Sequence, residues 1–296
     1  MAYIQGTIKN NKRHGIITIE CTQVGSDRGG ANNIVVYKKS TSLNKNEFQN
    51  EDNTNWFMVA KADITNRSEI DFVYYDFMVK SGVKYDYHID LRIGESIIDM
   101  IDLSTICRFD GISVGYQKSV TVENEGTGAQ TKYNSWTVFS TELGSKSHAM
   151  KFDIKKNMDV QYVKTLKGKY PIRINNSDQN YYTGSCTGLF LPMEQCDGST
   201  TDMIGAYENG TPTVDGANAY KESVMEFLCD GTEKVLRTGS GKAMIVSIDG
   251  APSEDWSEYN GLSTITFSWT QIGKFNVMDV DPENNPGFLL VGNFVG

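Results

Sequence analysis

Residues Val83–Ile93, VKYDYHIDLRI, alternate without a miss: Val83, Tyr85, Tyr87, Ile89, Leu91 and Ile93 against Lys84, Asp86, His88, Asp90 and Arg92. Successive side chains of a strand point to opposite faces, so the pattern predicts a strand with one face in a core and one in water. Ser263–Gly273, STITFSWTQIG, repeats it with a bulkier apolar row. Ile265, Phe267 and Trp269 oppose the hydroxyl row of Thr264, Thr266, Ser268 and Thr270. Residues 1–95 hold further β-rich runs, GIITIECTQV, NNIVVYKKS, WFMVAKADI and DFVYYDFMVKSG, broken by the turn-forming GSDRGGAN and the polar NKNEFQNEDNTN. Short strands at such spacing predict a sandwich over 1–95.

The pattern changes over 96–296. GISVGYQKSVTVEN, NSWTVFSTEL and SHAMKFDIKK read as strands, with EGTGAQTKY as a hairpin tip. Val160, Val163, Leu166 and Lys167 then stand at helical spacing ahead of Gly168, predicting a helix near 157–167. Tyr220, Val224, Phe227 and Leu228 form a second stripe ending at Gly231, predicting a helix near 217–230. KYPIRIN, NYYTGSCTGLFL and KAMIVSIDG surround them as strands, so both helices are expected to lie over a β core. The loop 197–218 fits none of these patterns.

Composition bounds the partners. At 296 residues and 39 % hydrophobic content the chain is long enough for two domains, and 28 Gly against 6 Pro suits strands joined by turns. A net charge of −9 repels phosphate backbones, which argues against nucleic acid. The N-terminal MAYIQGTIKNNKRHG lacks the apolar run of a signal peptide, and GFLLVG is too short to span a bilayer. Folding in a cytoplasm, without membrane insertion, is the expectation. Cys21, Cys107, Cys186, Cys196 and Cys229 are odd in number and form no C-x-x-C, which predicts buried free thiols.

Candidate chemistry is sparse. His14, His88 and His148 form no H-E-x-x-H, and EGTGAQTKY lacks the phosphate-cradling G-x-x-x-x-G-K-[ST]. Asp279, Asp281, Glu283 and Asn284 are spaced loosely like a calcium loop but depart from its pattern, so no metal or cofactor is expected. SEDWSEYNG gathers Glu254, Asp255, Trp256, Glu258 and Tyr259. Trp256 and Tyr259 suit sugar stacking in a carbohydrate-binding or host-adhesion module, and the carboxylates suit a cell-wall polymer hydrolase. The plainer reading is a polar loop that caps the adjacent strands or touches a neighbouring subunit. The arm 282–296 carries Phe288, Leu289, Leu290, Val291, Phe294 and Val295 behind an Asn–Pro spacer. Such an apolar end must fold back on its own chain or insert into another. Insertion, with these six residues as an interface, is favoured if Ser263–Gly273 already closes the core.

Two stretches carry resemblances. The W-x-x-V-A strand followed by F-V-Y-Y-D-F-x-V-x-S-G-V-x-Y-D-Y-x-I resembles the later strands of fibronectin type III and immunoglobulin-like domains, with Asp76, Gly82, Tyr85 and Tyr87 at matching positions. That resemblance implies a fold and no chemistry. Further on run K-x-P-I-x-I, N-Y-Y-T-G-S-x-T-G-L-F-L, a helix, G-x-x-K-V-L-R-T-G-S-G-K-A-M-I-V-S-I-D-G-A-P and the ending T-x-x-F-x-W-x-x-I-G. This layout is similar to the split β-barrel of bacteriophage tail-tip and baseplate proteins, especially distal tail and hub proteins. The combined expectation is a mainly β chain: an Ig- or fibronectin-like sandwich over 1–95, then a split barrel over 96–296 with two short helices. The resemblance implies a virion structural protein assembled in the host bacterial cytoplasm, not an enzyme. It implies a homo-oligomeric ring, six-fold or three-fold, at the end of the tail tube, touching tube, hub, fibre or wedge proteins. Phage-like contractile particles share these parts.

Overall fold

The computed structural model describes residues 3–12, 14–25, 29–42, 53–64, 71–123, 130–141, 150–164, 169–190, 207–208, 211–212, 214–256, 263–275 and 288–290. The chain is mainly β. It opens with β1 (Ile4–Asn11), β2 (Ile16–Gln23), β3 (Asn33–Ser42), β4 (Asn53–Asp63), β5 (Asp71–Asp76), β6 (Val83–Ile93) and β7 (Ser96–Cys107). β8 (Ile112–Glu123), β9 (Gln130–Ser140), β10 (Lys151–Val163) and β11 (Ile172–Gly188) follow. After the two-residue strands β12 (Tyr207–Glu208) and β13 (Thr211–Pro212) comes α1 (Val214–Cys229), the one helix among the described residues. β14 (Lys234–Thr238), β15 (Ala243–Trp256), β16 (Ser263–Lys274) and β17 (Phe288–Leu290) complete the order.

Two four-stranded antiparallel sheets, β1-β2-β5-β17 and β4-β3-β6-β7, pack on one core. The alternation of β6 holds over most of the strand: Val83, Tyr85, Tyr87, Ile89 and Leu91 are fully buried, facing Ile17, Ile19 and Cys21 of β2 and Phe72 and Tyr74 of β5, while Ile93 at the hairpin end is exposed and Asp90 of the polar row is buried. Each such side chain contributes about 1.5–3 kcal/mol of burial before ordering costs. The sheets meet along one edge. There the Tyr3 and Ile4 amides donate to Asp99 Oδ2 at 2.5 and 3.0 Å, and Asn10 Nδ2 donates to the Arg108 carbonyl at 2.9 Å. β7 pairs with β6 from Val83↔Cys107 to Ile93↔Ser96. The boundary expected at residue 95 is therefore a hairpin turn, and the first core runs on to Phe109 and takes in Ala243 and Phe275. A polar Gly–Glu pair looks the same in a hairpin and in a linker, which is why the sequence misplaces that boundary.

The second core lies under a seven-stranded antiparallel sheet ordered β10-β11-β16-β15-β14-β8-β9. β16 runs through it between β11 and β15, with Ile265, Phe267 and Trp269 buried. The Trp269 indole stacks on Phe152 at 5.6 Å between ring centroids. Its neighbour across the ladder is Gly184, where a Cβ would stand 1.9 Å from the Asp153 carbonyl oxygen and 2.8 Å from Trp269 Cζ2. Only glycine fits. α1 buries Tyr220, Val224 and Leu228 against this core, with the Tyr220 ring edge-on to Phe139 at 5.4 Å.

The helix expected near 157–167 is not formed over 157–163. That stretch is the far half of β10, paired with β11 from Asn157↔Tyr181 to Val163↔Ile172, and residues 165–168 lie outside the described residues. Val160 and Val163 satisfy a helical repeat, but Met158, Val160 and Tyr162 satisfy an alternating one equally well. An available partner strand decided between them, since a ladder supplies backbone hydrogen bonds that a short isolated helix holds only marginally.

Arg237 of β14 ties the two cores together. It is buried, and its hydrogen bonds among the described residues run to backbone carbonyls and one hydroxyl. Nη1 donates to the carbonyls of Gly15, Phe77 and Val79 at 2.8, 2.7 and 3.2 Å, Nη2 to that of His14 at 2.9 Å, and Nε to Ser113 Oγ at 3.2 Å. Its guanidinium also lies 5.4 Å from the Phe109 ring. Gly15 turns with φ +63° and a Cβ there would meet that same ring at 2.5 Å. Burial lowers the Arg237 pKa, though a guanidinium stays protonated at any ordinary pH.

Candidate interaction surfaces

The even-numbered residues of β6 face outward and build an aromatic and charged platform. His88 Nδ1 lies 2.6 Å from Asp102 Oδ1 on β7, and its Nε2 lies 2.8 Å from Asp90 Oδ1. The imidazole centroid is 5.6 Å from that of Trp56 on β4 and 6.3 Å from that of Tyr37 on β3. Lys39 Nζ sits 4.5 Å above the Trp56 ring. Arg92 Nη2 donates to Tyr37 Oη at 2.9 Å and to Asp90 Oδ2 at 2.5 Å, and the bond to Asp90 raises its pKa. Asp90 is thus buried beneath its own partners. Toward the β7 side the platform turns apolar and acidic: Ile97 and Met100 are exposed, beside Asp102 and Glu95.

On the inner face of the same sheet, Lys38 is fully buried and bonds Asp76 Oδ2 at 2.6 Å and the Met78 carbonyl at 2.7 Å. Asp76 also accepts from Tyr87 Oη at 2.6 Å and from the Met78 amide at 3.0 Å. Burial first, and the Asp76 charge second, push the Tyr87 phenol well above its ordinary pKa. Lys38 Nζ also lies 4.4 Å from the Tyr85 ring, so three of the residues that carry the Ig-like resemblance, Asp76, Tyr85 and Tyr87, belong to a buried polar brace across the sheets. Trp56 of the W-x-x-V-A strand instead faces out, while Val59 and Ala60 are buried.

A second surface lies at the far end of β10 and β11. β11 pairs with β16 only over Thr183–Gly188, yet its pairing with β10 continues to Val163↔Ile172. The excess is a two-stranded ribbon of roughly 25 Å at about 3.3 Å per residue. Tyr162, Val163, Tyr170 and Ile172 at its tip are all exposed. The helical reading of 157–167 hid this ribbon, and the platform escaped notice because only strand register brings Trp56, Tyr37, His88 and Asp102 side by side.

The residues singled out by sequence fall as follows. Glu254 is held by Ser263 and by Lys221, 3.2 Å away, and the Ser263 hydrogen bond, with help from Lys221, lowers its pKa against the opposing effect of burial. A glycosidase acid needs a raised pKa, so this carboxyl is tuned the other way. The Trp256 backbone ends β15 opposite Ser263, while its side chain, Glu258 and Tyr259 lie outside the described residues. Phe288, Leu289 and Leu290 form β17, paired with Tyr74, Val73 and Phe72 of β5 in the same chain. That stretch of the arm folds back rather than standing free for a neighbour; Val291, Phe294 and Val295 lie outside the described residues. His14 Nδ1 lies 3.0 Å from Ser140 Oγ in the junction around Arg237, and His148 lies outside the described residues. Cys21, Cys107 and Cys186 are buried free thiols, the first two pushed up to about 12 by burial, whereas Cys229 is exposed. Among the described residues no His, Cys, Asp and Glu cluster is arranged to hold a metal. No protein-family model matches the chain, and neither does any curated protein sequence.

Proposed function

We propose that the chain is a structural component of a bacteriophage tail tip or baseplate, or of a phage-like contractile particle. It forms a ring at the end of the tail tube and links it to hub or fibres. In this reading the paired four-stranded sheets are an Ig- or fibronectin-like sandwich, and the seven-stranded sheet with α1 is a split barrel. The observation that carries the reading is a pair of outward contact surfaces, the aromatic and charged platform with its Ile97–Met100 edge and the apolar ribbon tip, on two cores that Arg237 bridges. A rigid unit with separate contact surfaces is what a ring subunit needs. The T-x-x-F-x-W-x-x-I-G segment that carries the tail-protein resemblance lies in β16, within the second core. Glu254 serves here as the partner of Lys221, and the chain performs no turnover.

Negative-stain images of the purified protein should show rings, and mass spectrometry of purified tails should find the chain among their components. Absence from tails together with a monomeric protein would overturn the reading. So would cell-wall hydrolysis by the purified chain that is lost in Glu254→Gln.

A further inference from the structure

We propose that the β10–β11 ribbon of one copy docks on the outer face of the β4-β3-β6-β7 sheet of a second copy, at the Ile97–Met100 end of β7. This names the contact that would build the ring, and so rests on the reading above for ring closure, though not for the contact itself.

Both surfaces are apolar where a globular surface is usually polar. On the ribbon Tyr162 is 66 % exposed, Tyr170 73 % and Ile172 56 %; on the sheet Ile97 is 51 % exposed and Met100 59 %. Val163 pairs with Ile172 and Tyr162 with Arg173, so neighbouring pairs alternate faces and both faces of the ribbon tip present large apolar groups. A ribbon apolar on both sides cannot satisfy itself by lying down on one surface of its own sheet. Ile97 and Met100 share the outward face with Arg92 and Asp90, their register partners, and form a shallow shelf beside the His88 platform. A thioether beside a phenol ring is a favourable contact, which suits Met100 to Tyr170 or Tyr162.

Charge selects a second copy as the occupant. Residues 156–182, which make the ribbon and its turn, carry five Lys or Arg against two Asp, hence +3, in a chain of total −9, so the remainder carries −12. The basic ribbon belongs to an acidic protein. Its tip holds Lys169 and Arg173, both exposed, with Lys169 Nζ 5.7 Å from the Tyr170 ring. The shelf has the opposite character: residues 93–102 contain Glu95, Asp99 and Asp102 and no Lys or Arg. Asp99 is engaged by the Tyr3, Ile4 and Met100 amides; Asp102 meets His88 at 2.6 Å and Glu95 lies 3.9 Å from Arg92 Nη1, yet the Glu95 and Asp102 side chains remain 98 % and 73 % exposed. Opposite charges around matched apolar centres steer association and set register. Because ribbon and shelf are different surfaces, the contact is heterologous and propagates head to tail, closing into a ring where the rotation allows.

The test uses the full chain, with sedimentation velocity and negative-stain images read on the same samples. One variant reverses the ribbon, Lys169→Glu with Arg173→Glu; the other reverses the shelf, Glu95→Lys with Asp102→Lys. All four positions are exposed, and circular dichroism melts confirm that each variant folds. The wild type should associate, more weakly as salt rises. Each variant alone should weaken association by at least about tenfold, a loss of about 1.4 kcal/mol. An equimolar mixture of the two should recover it, because reversed ribbon then meets reversed shelf. A mixture that stays dissociated overturns the pairing, as does a shelf variant that associates like the wild type. Rings that persist unchanged in both variants overturn this contact while leaving the ring reading intact. A wild type that stays monomeric at its highest soluble concentration overturns the contact, and its absence from tails would overturn the tail reading separately.

Discussion

Arg237 shows how one side chain can join two cores. Its planar fork reaches four carbonyls from the β1–β2 turn and the segment after β5, and a lysine, with three donors on a single nitrogen, cannot reproduce that geometry. A buried carbonyl that loses its donor costs about 1–3 kcal/mol. Arg237→Met should therefore lower stability by more than about 3 kcal/mol in urea unfolding, and Arg237→Lys should recover only part of it. An unfolding midpoint unchanged in Arg237→Met would show that the carbonyls are satisfied some other way. Glu254 supports a pH prediction. Its folded pKa lies below the unfolded value, so its contribution is fully present above about pH 4.3 and is lost as pH falls through the folded pKa. The stability gap between wild type and Glu254→Gln should narrow between pH 6 and pH 3, as read by melting temperature. A gap that widens on acidification would contradict the Lys221–Ser263 assignment. None of this is visible in the sequence, where Arg237 is one cation in KVLRTGSGK and Glu254 one carboxylate in an acidic loop.

At the scale of elements, the strands with strict alternation were the legible ones. β16 buries the row that its sequence marks and β6 all of its row but Ile93 at the hairpin end, because a two-residue period has only one strand-compatible reading. α1 was legible for the parallel reason, with Tyr220, Val224 and Leu228 on one stripe. β10 was not, because a sparse apolar pattern fits both periods and only β11 settles it. The contact between β10, β11 and β16 gives the sharpest prediction here. A methyl added at Gly184 collides with the backbone of Asp153 and with the indole of Trp269, neither of which can yield cheaply. Gly184→Ala should destabilise the second core about as severely as Trp269→Ala, for which loss of a buried Trp implies roughly 3–5 kcal/mol. Both are checked by thermal melts followed at the tryptophan fluorescence. A melting point for Gly184→Ala within a degree of wild type would mean that the strands stand further apart than described.

At the scale of the whole molecule, the chain returns to where it began. β17 lies beside β5, making the C-terminal segment part of the first sheet and extending the β1-β2-β5 order by one strand. Without it, the Phe72–Tyr74 backbone becomes an edge, and edges lose ladder hydrogen bonds and invite wrong pairing. Deleting residues 283–296 should then increase amide exchange along β5 and lower the melting temperature of the first core, while exchange in β16 stays unchanged. Unaltered protection of β5 in the truncated chain would show that the arm serves elsewhere, returning the neighbour-insertion reading to favour.

The sequence by itself determined the mainly β class, the core rows of the strictly alternating strands, and the stripe of α1. Each of these follows from side chains a fixed few positions apart, so local periodicity suffices. Only the tertiary structure decided the rest. It set the hairpin at residues 93–96 that carries β7 into the first sheet, and the ribbon made from a stretch that also reads as helix. It set the Lys38–Asp76–Tyr87 brace, the Arg237 junction and the platform around His88 as well. These depend on strand register and on which sheets face each other, and both are fixed by partners many residues distant that leave no mark at any single position.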